Sequence, residues 1–402
     1  MGKGKQNMTR IYFRTDGNSE IATGHLMRCL AIARVCAQKG GAVTFVVSDE
    51  ESLSLLRERF AVPQEFVVRC LHTDYRKPES EIPRLLSCLK DHPDAVTPHS
   101  DQSGKPWLFL ASYYVTSAYF QALHDRFRVA YLDDLRSFDC PVDLLINYDT
   151  EEDCAFYAGA ACKLLGPQYT PLREQFRAVP YEVRPTAGHV LLSTGGTDPY
   201  GAAESLLGIL FSESARTASV PGPAAFTASQ APAEDSFPDT RIPQAGALSL
   251  LRSLHYHVLT SGANTRYAAL AALAQTRPNV HIHTGIADVA ALMASCDLAV
   301  SAGGTTLCEL CAVGVPSVSY LMADNQRTAV ETFAKKRLIP CAGDIRPLSQ
   351  SGPAVSRNCL CRILAFLSDM AQDSAARAAV SASMKDYLDG SGAEKIAQTL
   401  LL

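Results

Sequence analysis

Several large protein classes are excluded by what this sequence lacks. No apolar run approaches the roughly 18 residues that a membrane-spanning helix needs. A surplus of one charge is missing too: 37 Lys and Arg stand against 41 Asp and Glu, a net charge of -4. That balance argues against nucleic acid or an anionic membrane surface as the main partner. The first ten residues, MGKGKQNMTR, contain no apolar core of the kind a secretory signal carries. The 13 cysteines are odd in number and scattered, which speaks for free thiols in a reducing, cytoplasmic setting and against a disulfide framework. There is no Gly-x-Gly-x-x-Gly, no Walker loop and no Gly-x-Ser-x-Gly elbow. Asp-x-Asp, the usual divalent-metal motif of one glycosyltransferase class, is also missing.

What is present is a repeated strand-loop-helix pattern. Ile11-Tyr12-Phe13 reads as a strand, Asp16 to Glu20 as a polar loop, and Leu26 to Gln38 as a helix opened by Gly24-His25. Leu26, Leu30, Ala33 and Ala37 form one apolar stripe of that helix. Gly40-Gly41 stops it and Ala42 to Ser48 is the next strand. Further strands are expected at Glu65 to Val68, Trp107 to Ala111, Val129 to Leu132 and Leu144 to Asn147. Helices are expected at Leu53 to Phe60, at Ile82 to Lys90 and up to His124, with 91–106 as a surface loop. Such alternation predicts a mostly parallel sheet.

Four prolines between Leu164 and Thr186 mark a change of character, read as a linker with a short helix near Leu172 to Phe176. The second half then opens as the first does. His189 to Ser193 runs into Thr194-Gly195-Gly196-Thr197-Asp198-Pro199, with Asp198 as N-cap and Pro199 as first helical residue. Strands are expected at 255–260, 280–283, 298–301 and 317–321, each followed by a helix. Residues 212–247, rich in Ala, Ser and Pro, read as a mobile insertion. The expected organisation is an N-terminal α/β domain over 1–165, a linker over 166–187 and a C-terminal α/β domain over 188–402.

Open α/β sheets bind ligands at the carboxyl ends of their strands, and the candidate residues fall there. His25 would stand at a helix N-terminus, whose partial positive charge favours the neutral imidazole that can accept a proton. It could equally cap or pack. Gly303-Gly304-Thr305-Thr306 joins a strand to a helix, and glycines there let a backbone approach a phosphate. Glu309, one turn on, could accept the hydroxyls of a ribose. A tight turn beside a solvated Glu is the alternative, weighed against the second Gly-Gly loop at Gly195-Gly196. Asp324-Asn325-Gln326 suits sugar hydroxyls, or a helix cap by Asp324.

Other patterns invite chemistry less. Cys308 and Cys311 flank Glu309 inside an apolar helix and read as core thiols. His255 and His257, like His281 and His283, put two imidazoles on one strand face without other ligands at metal spacing. Asp133-Asp134 at a strand end reads as structural.

Arg14-Thr15-Asp16, IATGHLMRC from Ile21, STGGTDP from Ser193, SAGGTTLCELCAVG from Ser301 and ADNQ from Ala323 occur in this order. This set resembles the PseG family of UDP-diacetamido-trideoxy-altropyranose hydrolases and the related spore-coat SpsG proteins, which are similar to MurG-type enzymes of the GT-B fold. The resemblance implies two Rossmann-like domains facing across a cleft. It also implies inverting, metal-independent hydrolysis of a UDP-linked acetamido-deoxy sugar for surface glycan synthesis of the pseudaminic-acid kind, with no cofactor. A GT-B glycosyltransferase with the same donor, or a nucleotide-sugar binder weakened in catalysis, is the alternative. His25 and Tyr113 match the catalytic positions. The expected substrate-binding set is Arg14, Asp16, Gly24, Gly195, Gly196, Thr197, Asn264, Gly303, Gly304, Thr305, Thr306, Glu309, Asp324, Asn325 and Gln326. Two departures are Ala22, where the family carries Gly, and Ala111, where it carries Asp.

Overall fold

The computed structural model describes residues 8–21, 23–60, 62–90, 105–149, 154–212, 245–346 and 355–402. Ala22, 91–104 of the expected surface loop and 213–244 of the expected insertion lie outside them. Residues 245–247 of that insertion begin a helix instead.

The chain forms two compact units, 1–174 with 390–402, and 175–389. The first contains β1 (Arg10–Thr15), α1 (Gly24–Gln38), β2 (Ala42–Val47), α2 (Glu50–Ser54), β3 (Val67–Cys70), α3 (Pro78–Lys90), β4 (Trp107–Ala111), α4 (Ser117–His124), β5 (Arg128–Leu132), β6 (Leu144–Asn147) and β7 (Cys162–Leu165). Its seven strands run in the order β3-β2-β1-β4-β5-β6-β7, all parallel. Strands buried on both faces need continuous apolar runs, and WLFLA of β4 is buried at every position. Phe13 packs its ring 5.3 Å from Phe45 and 5.1 Å from Phe109, at the centre of this core.

The second unit contains β8 (His189–Ser193), α5 (Ala202–Phe211), α6 (Ala245–Ser253), β9 (His255–Thr260), α7 (Tyr267–Thr276), β10 (Val280–Thr284), α8 (Val289–Ser295), β11 (Leu298–Ala302), α9 (Thr305–Val313), β12 (Ser317–Leu321), α10 (Arg327–Lys335), β13 (Cys341–Asp344), α11 (Arg357–Gln372) and α12 (Ser374–Tyr387). Its six strands are parallel in the order β10-β9-β8-β11-β12-β13. Two all-parallel α/β sheets are the fold class the sequence predicts.

The last helix, α13 (Gly392–Leu401), belongs to the first unit, although the sequence reading placed all of 188–402 in the second. Its apolar stripe explains this: Ala393, Ile396, Ala397 and Leu400 are buried in the core that α1 also lines. Gly392 makes the approach possible, since a Cβ there would stand 2.2 Å from the Thr170 carbonyl oxygen. Helix α5 starts at Ala202 rather than at Pro199. Asp198 nonetheless serves it, accepting from the Ala202 and Ala203 amides at 2.8 and 3.0 Å.

Candidate functional site

Both sheets have a switch point, where strand order reverses and the loops diverge to leave a crevice. In the first unit it lies between β1 and β4, whose ends pair as Thr15 with Ala111. The segments leaving those ends lead to His25, in the first turn of α1, and to Tyr113. The imidazole is 4% exposed, and the Tyr113 ring lies 4.3 Å from it, centroid to centroid. His25 Nε2 lies 3.0 Å from Asp134 Oδ2. Arg28, one turn along α1, donates to the same oxygen and, at 2.7 Å, to the Tyr148 hydroxyl. Tyr148 in turn donates to Asp134 Oδ1 at 3.3 Å.

The two neighbouring aspartates therefore divide. Asp133 is structural, accepting from the Leu135 and Arg136 amides at 2.9 and 3.0 Å and from the Tyr157 hydroxyl at 2.7 Å. Asp134 is turned to the histidine. The sequence reading missed Asp134, Arg28 and Tyr148; the i, i+3 spacing of His25 and Arg28 was the one local signal.

The His25 ring is held below its ordinary pKa, so it is neutral at pH 7. Burial is the largest cause, with the Arg28 charge adding to it and the Asp134 hydrogen bond opposing. This differs from the helix-terminus explanation the sequence suggested. Burial would raise the Asp134 carboxyl, yet Arg28 and the hydrogen bonds from His25 and Tyr148 hold it below the usual range. An ionised Asp134 fixes the tautomer: Nε2 carries the proton and Nδ1 keeps the lone pair.

Burial, with the Asp134 charge adding, pushes the nearby Asp149 carboxyl up to about 6. A raised carboxyl binds its proton more tightly in the fold, so its contribution is lost as pH rises through about 6. Asp149→Asn is therefore expected to raise the melting temperature at pH 7.5, with the gain shrinking towards pH 4. Thermal melts at both pH values check this.

Arg14 and Asp16 lie behind this site rather than in it. Both are 4% exposed, and Glu81 beside them is 1% exposed. Arg14 Nε and Nη2 donate to the two Glu81 oxygens at 2.8 and 2.7 Å, and Nη1 donates to Asp16 at 2.5 Å. Asp16 also accepts from the Ser48 amide and hydroxyl, at 2.6 and 2.9 Å. These charges are occupied in clamping β1, β2 and α3 together. Gly24 is exposed at the start of α1.

The second switch point lies between β8 and β11, which pair as Ser193 with Ser301. Both Gly-Gly loops leave from there. Gly195 has a φ of +82°, the left-handed region that favours glycine. Gly196 accepts at its carbonyl from the Ser261 hydroxyl at 2.7 Å, and Thr197 is exposed. Gly303 is enclosed, since a Cβ would come within 2.3 Å of Val330 Cγ2. Gly304 differs: its backbone is extended and a Cβ would meet nothing within 4 Å. It is the N-cap of α9 and brings no side chain to the helix terminus, so no side chain caps the first amides there. Thr305 is exposed, and Thr306 and Glu309 are half-buried on α9.

Gln326 borders the same turn and accepts from the Met322 amide at 3.1 Å. Asp324 and Asn325 are exposed, and Asp324 pairs with Arg346 at 2.7 Å. Asn264 is buried: its Oδ1 accepts from the Arg266 amide and its Nδ2 donates to Thr260, both within 2.9 Å. Its side chain holds the turn after β9. Cys308 and Cys311 are buried and form no disulfide, as the apolar helix suggested.

No protein-family model matches the chain, and no curated protein does. Solved structures do. MurG of Acinetobacter baumannii superposes with a TM-score of 0.60 at 12% identity, over 98% of this chain and 99% of that one. Arabidopsis thaliana UGT89C1, solved with UDP, gives 0.59 at 12%, over 98% and 100%. The spinosyn rhamnosyltransferase SpnG, solved with thymidine diphosphate, gives 0.53 at 12%, over 98% and 100%. At such identity the likeness establishes the fold, two parallel α/β units of the GT-B type.

Proposed function

We propose that the chain is an enzyme consuming a UDP-sugar, transferring the glycosyl group to an acceptor hydroxyl with inversion. The observation that carries this reading is the His25–Asp134 pair, a neutral imidazole oriented by an ionised carboxylate at a sheet switch point. His25 Nδ1 accepts the proton of the attacking hydroxyl. Its oxygen forms the new bond to the anomeric carbon, and the bond to UDP breaks with its electron pair leaving on the diphosphate. Within the second unit, the start of α9, with no side-chain cap and open space at Gly304, is suited to a diphosphate. Glu309, on the same helix, is suited to ribose hydroxyls, and Asn325 and Gln326 to sugar hydroxyls. The solved GT-B relatives described above, one of them with UDP, favour transfer.

Hydrolysis of a UDP-linked acetamido-deoxy sugar is the second reading, favoured by the IATGHLMRC and STGGTDP motifs; water then takes the acceptor's place. A panel of UDP-sugars, incubated with and without acceptor sugars and followed by NMR for free UDP, separates the two. Transfer requires the acceptor, hydrolysis does not, and no UDP under either condition overturns both.

The two loop glycines give a paired prediction. Gly303→Ala is expected to lose about 1–3 kcal/mol of stability through overpacking against Val330. Gly304→Ala is expected to melt with the wild type and to bind UDP more weakly. Thermal melts and UDP calorimetry on both variants check it.

A further inference from the structure

Parallel pairing turns the two histidine pairs noted in the sequence into one surface. β8, β9 and β10 run side by side, with His189 opposite His255 and His257 opposite His281. Alternation along each strand puts His189, His255, His257, His281 and His283 on a single face. His255 is exposed and the other four are half-buried. The rings meet diagonally across the strands. His189 Nδ1 lies 3.0 Å from His257 Nε2, and His257 Nδ1 lies 2.9 Å from His283 Nε2. His255 Nδ1 lies 3.1 Å from His281 Nε2. Nothing in the proposed reaction uses these five residues.

We infer that this imidazole ladder is a binding site for a divalent transition cation of the copper, nickel or zinc kind, held first between His189 Nδ1 and His257 Nε2. Imidazole binds such ions at about 2.0–2.1 Å, and two such bonds set at right angles to tetrahedral spread their nitrogens about 2.9–3.4 Å apart. In the metal-free protein this 3.0 Å contact is a hydrogen bond between the rings; its length falls in that range, and binding asks one ring to change tautomer without rearrangement of the strands. The proton inventory also closes. A neutral imidazole has one N–H and one lone pair. With both lone pairs turned to the cation, the protons sit on His189 Nε2 and His257 Nδ1. The latter then donates to His283 Nε2, 2.9 Å away, so binding releases no proton. A ligating histidine whose other N–H is held in this way has the outer support that metal sites use. The His255–His281 pair has no third imidazole behind it among the described residues and holds a second cation more weakly. Water fills the remaining positions.

The test uses the full chain, stripped with a chelator and titrated with copper(II) against a competing chelator. The first equivalent is expected to show nitrogen couplings from two imidazoles by electron paramagnetic resonance. His257→Gln and His189→Asn should each remove the tighter cation, leaving binding at least about tenfold weaker, and His283→Gln should weaken it by roughly tenfold. Glu50, Cys70 and His72 also converge, in the first unit, so His72→Gln is the control and should leave the tighter cation in place. Unchanged affinity in both His257→Gln and His189→Asn, loss on His72→Gln alone, or no copper bound by the wild type would overturn the inference.

Discussion

His25→Ala is expected to lower kcat for UDP release by about 10²- to 10⁴-fold, the usual worth of a positioned general base, while KM changes little. The residue touches only the nucleophile in the proposed reaction, so its loss falls on the chemical step. The variant should still fold. Asp134 keeps Arg28 and Tyr148 as partners, and no charge is stranded. The wild-type pH profile follows from the same geometry. Because His25 is held below the ordinary imidazole value, kcat/KM should be flat around neutrality and fall only on the acid side, below about 6.5. Asp134 stays ionised across that range. Steady-state kinetics of both proteins from pH 5 to 8 check the pair of expectations. Equal kcat in wild type and variant would remove His25 from the mechanism.

Glu81→Ala is expected to be the most damaging single change to the first unit. It leaves Arg14, 4% exposed, with Asp16 as its one carboxylate. It also removes the acceptor of the Tyr119 hydroxyl, now 2.6 Å away. Breaking a buried pair from one side costs about 3–5 kcal/mol, because the remaining charge stays desolvated. For a unit of this size that is a fall on the order of 10 °C in melting temperature. The triple variant Arg14→Met/Asp16→Asn/Glu81→Leu should recover much of the loss, since it removes all three buried charges together. Melting curves for the three proteins decide. A single variant within a degree or two of the wild type would mean that the network contributes little.

The fold was legible where strands buried on both faces made short apolar runs ending in glycine-bearing loops. β1, β8 and β11, with their loops, could be placed from sequence for that reason. The candidate residues His25 and Gly303-Gly304 were legible because they follow directly on those strand ends. Asp134 was not, since its role depends on β5 lying next to β4 and turning the second aspartate towards α1. The partners of Arg14 and Asp16 were hidden for a similar reason. Polar residues beside a candidate loop look like ligand contacts until Glu81, on a helix 67 positions away, is found neutralising Arg14. The return of α13 to the first unit was carried only by an apolar stripe, which does not name the surface it will cover. The histidine ladder was half visible: each pair was read on its own strand, and the register that joins them belongs to the sheet.

The whole mechanism depends on the state of one ring. Nitrogen-15 NMR of the histidine side chains, with the His25 signal assigned by its absence in His25→Ala, reads that state directly. At pH 7 the expected result is a neutral ring with its proton on Nε2 and a bare Nδ1. A doubly protonated His25, or a proton on Nδ1, would contradict it.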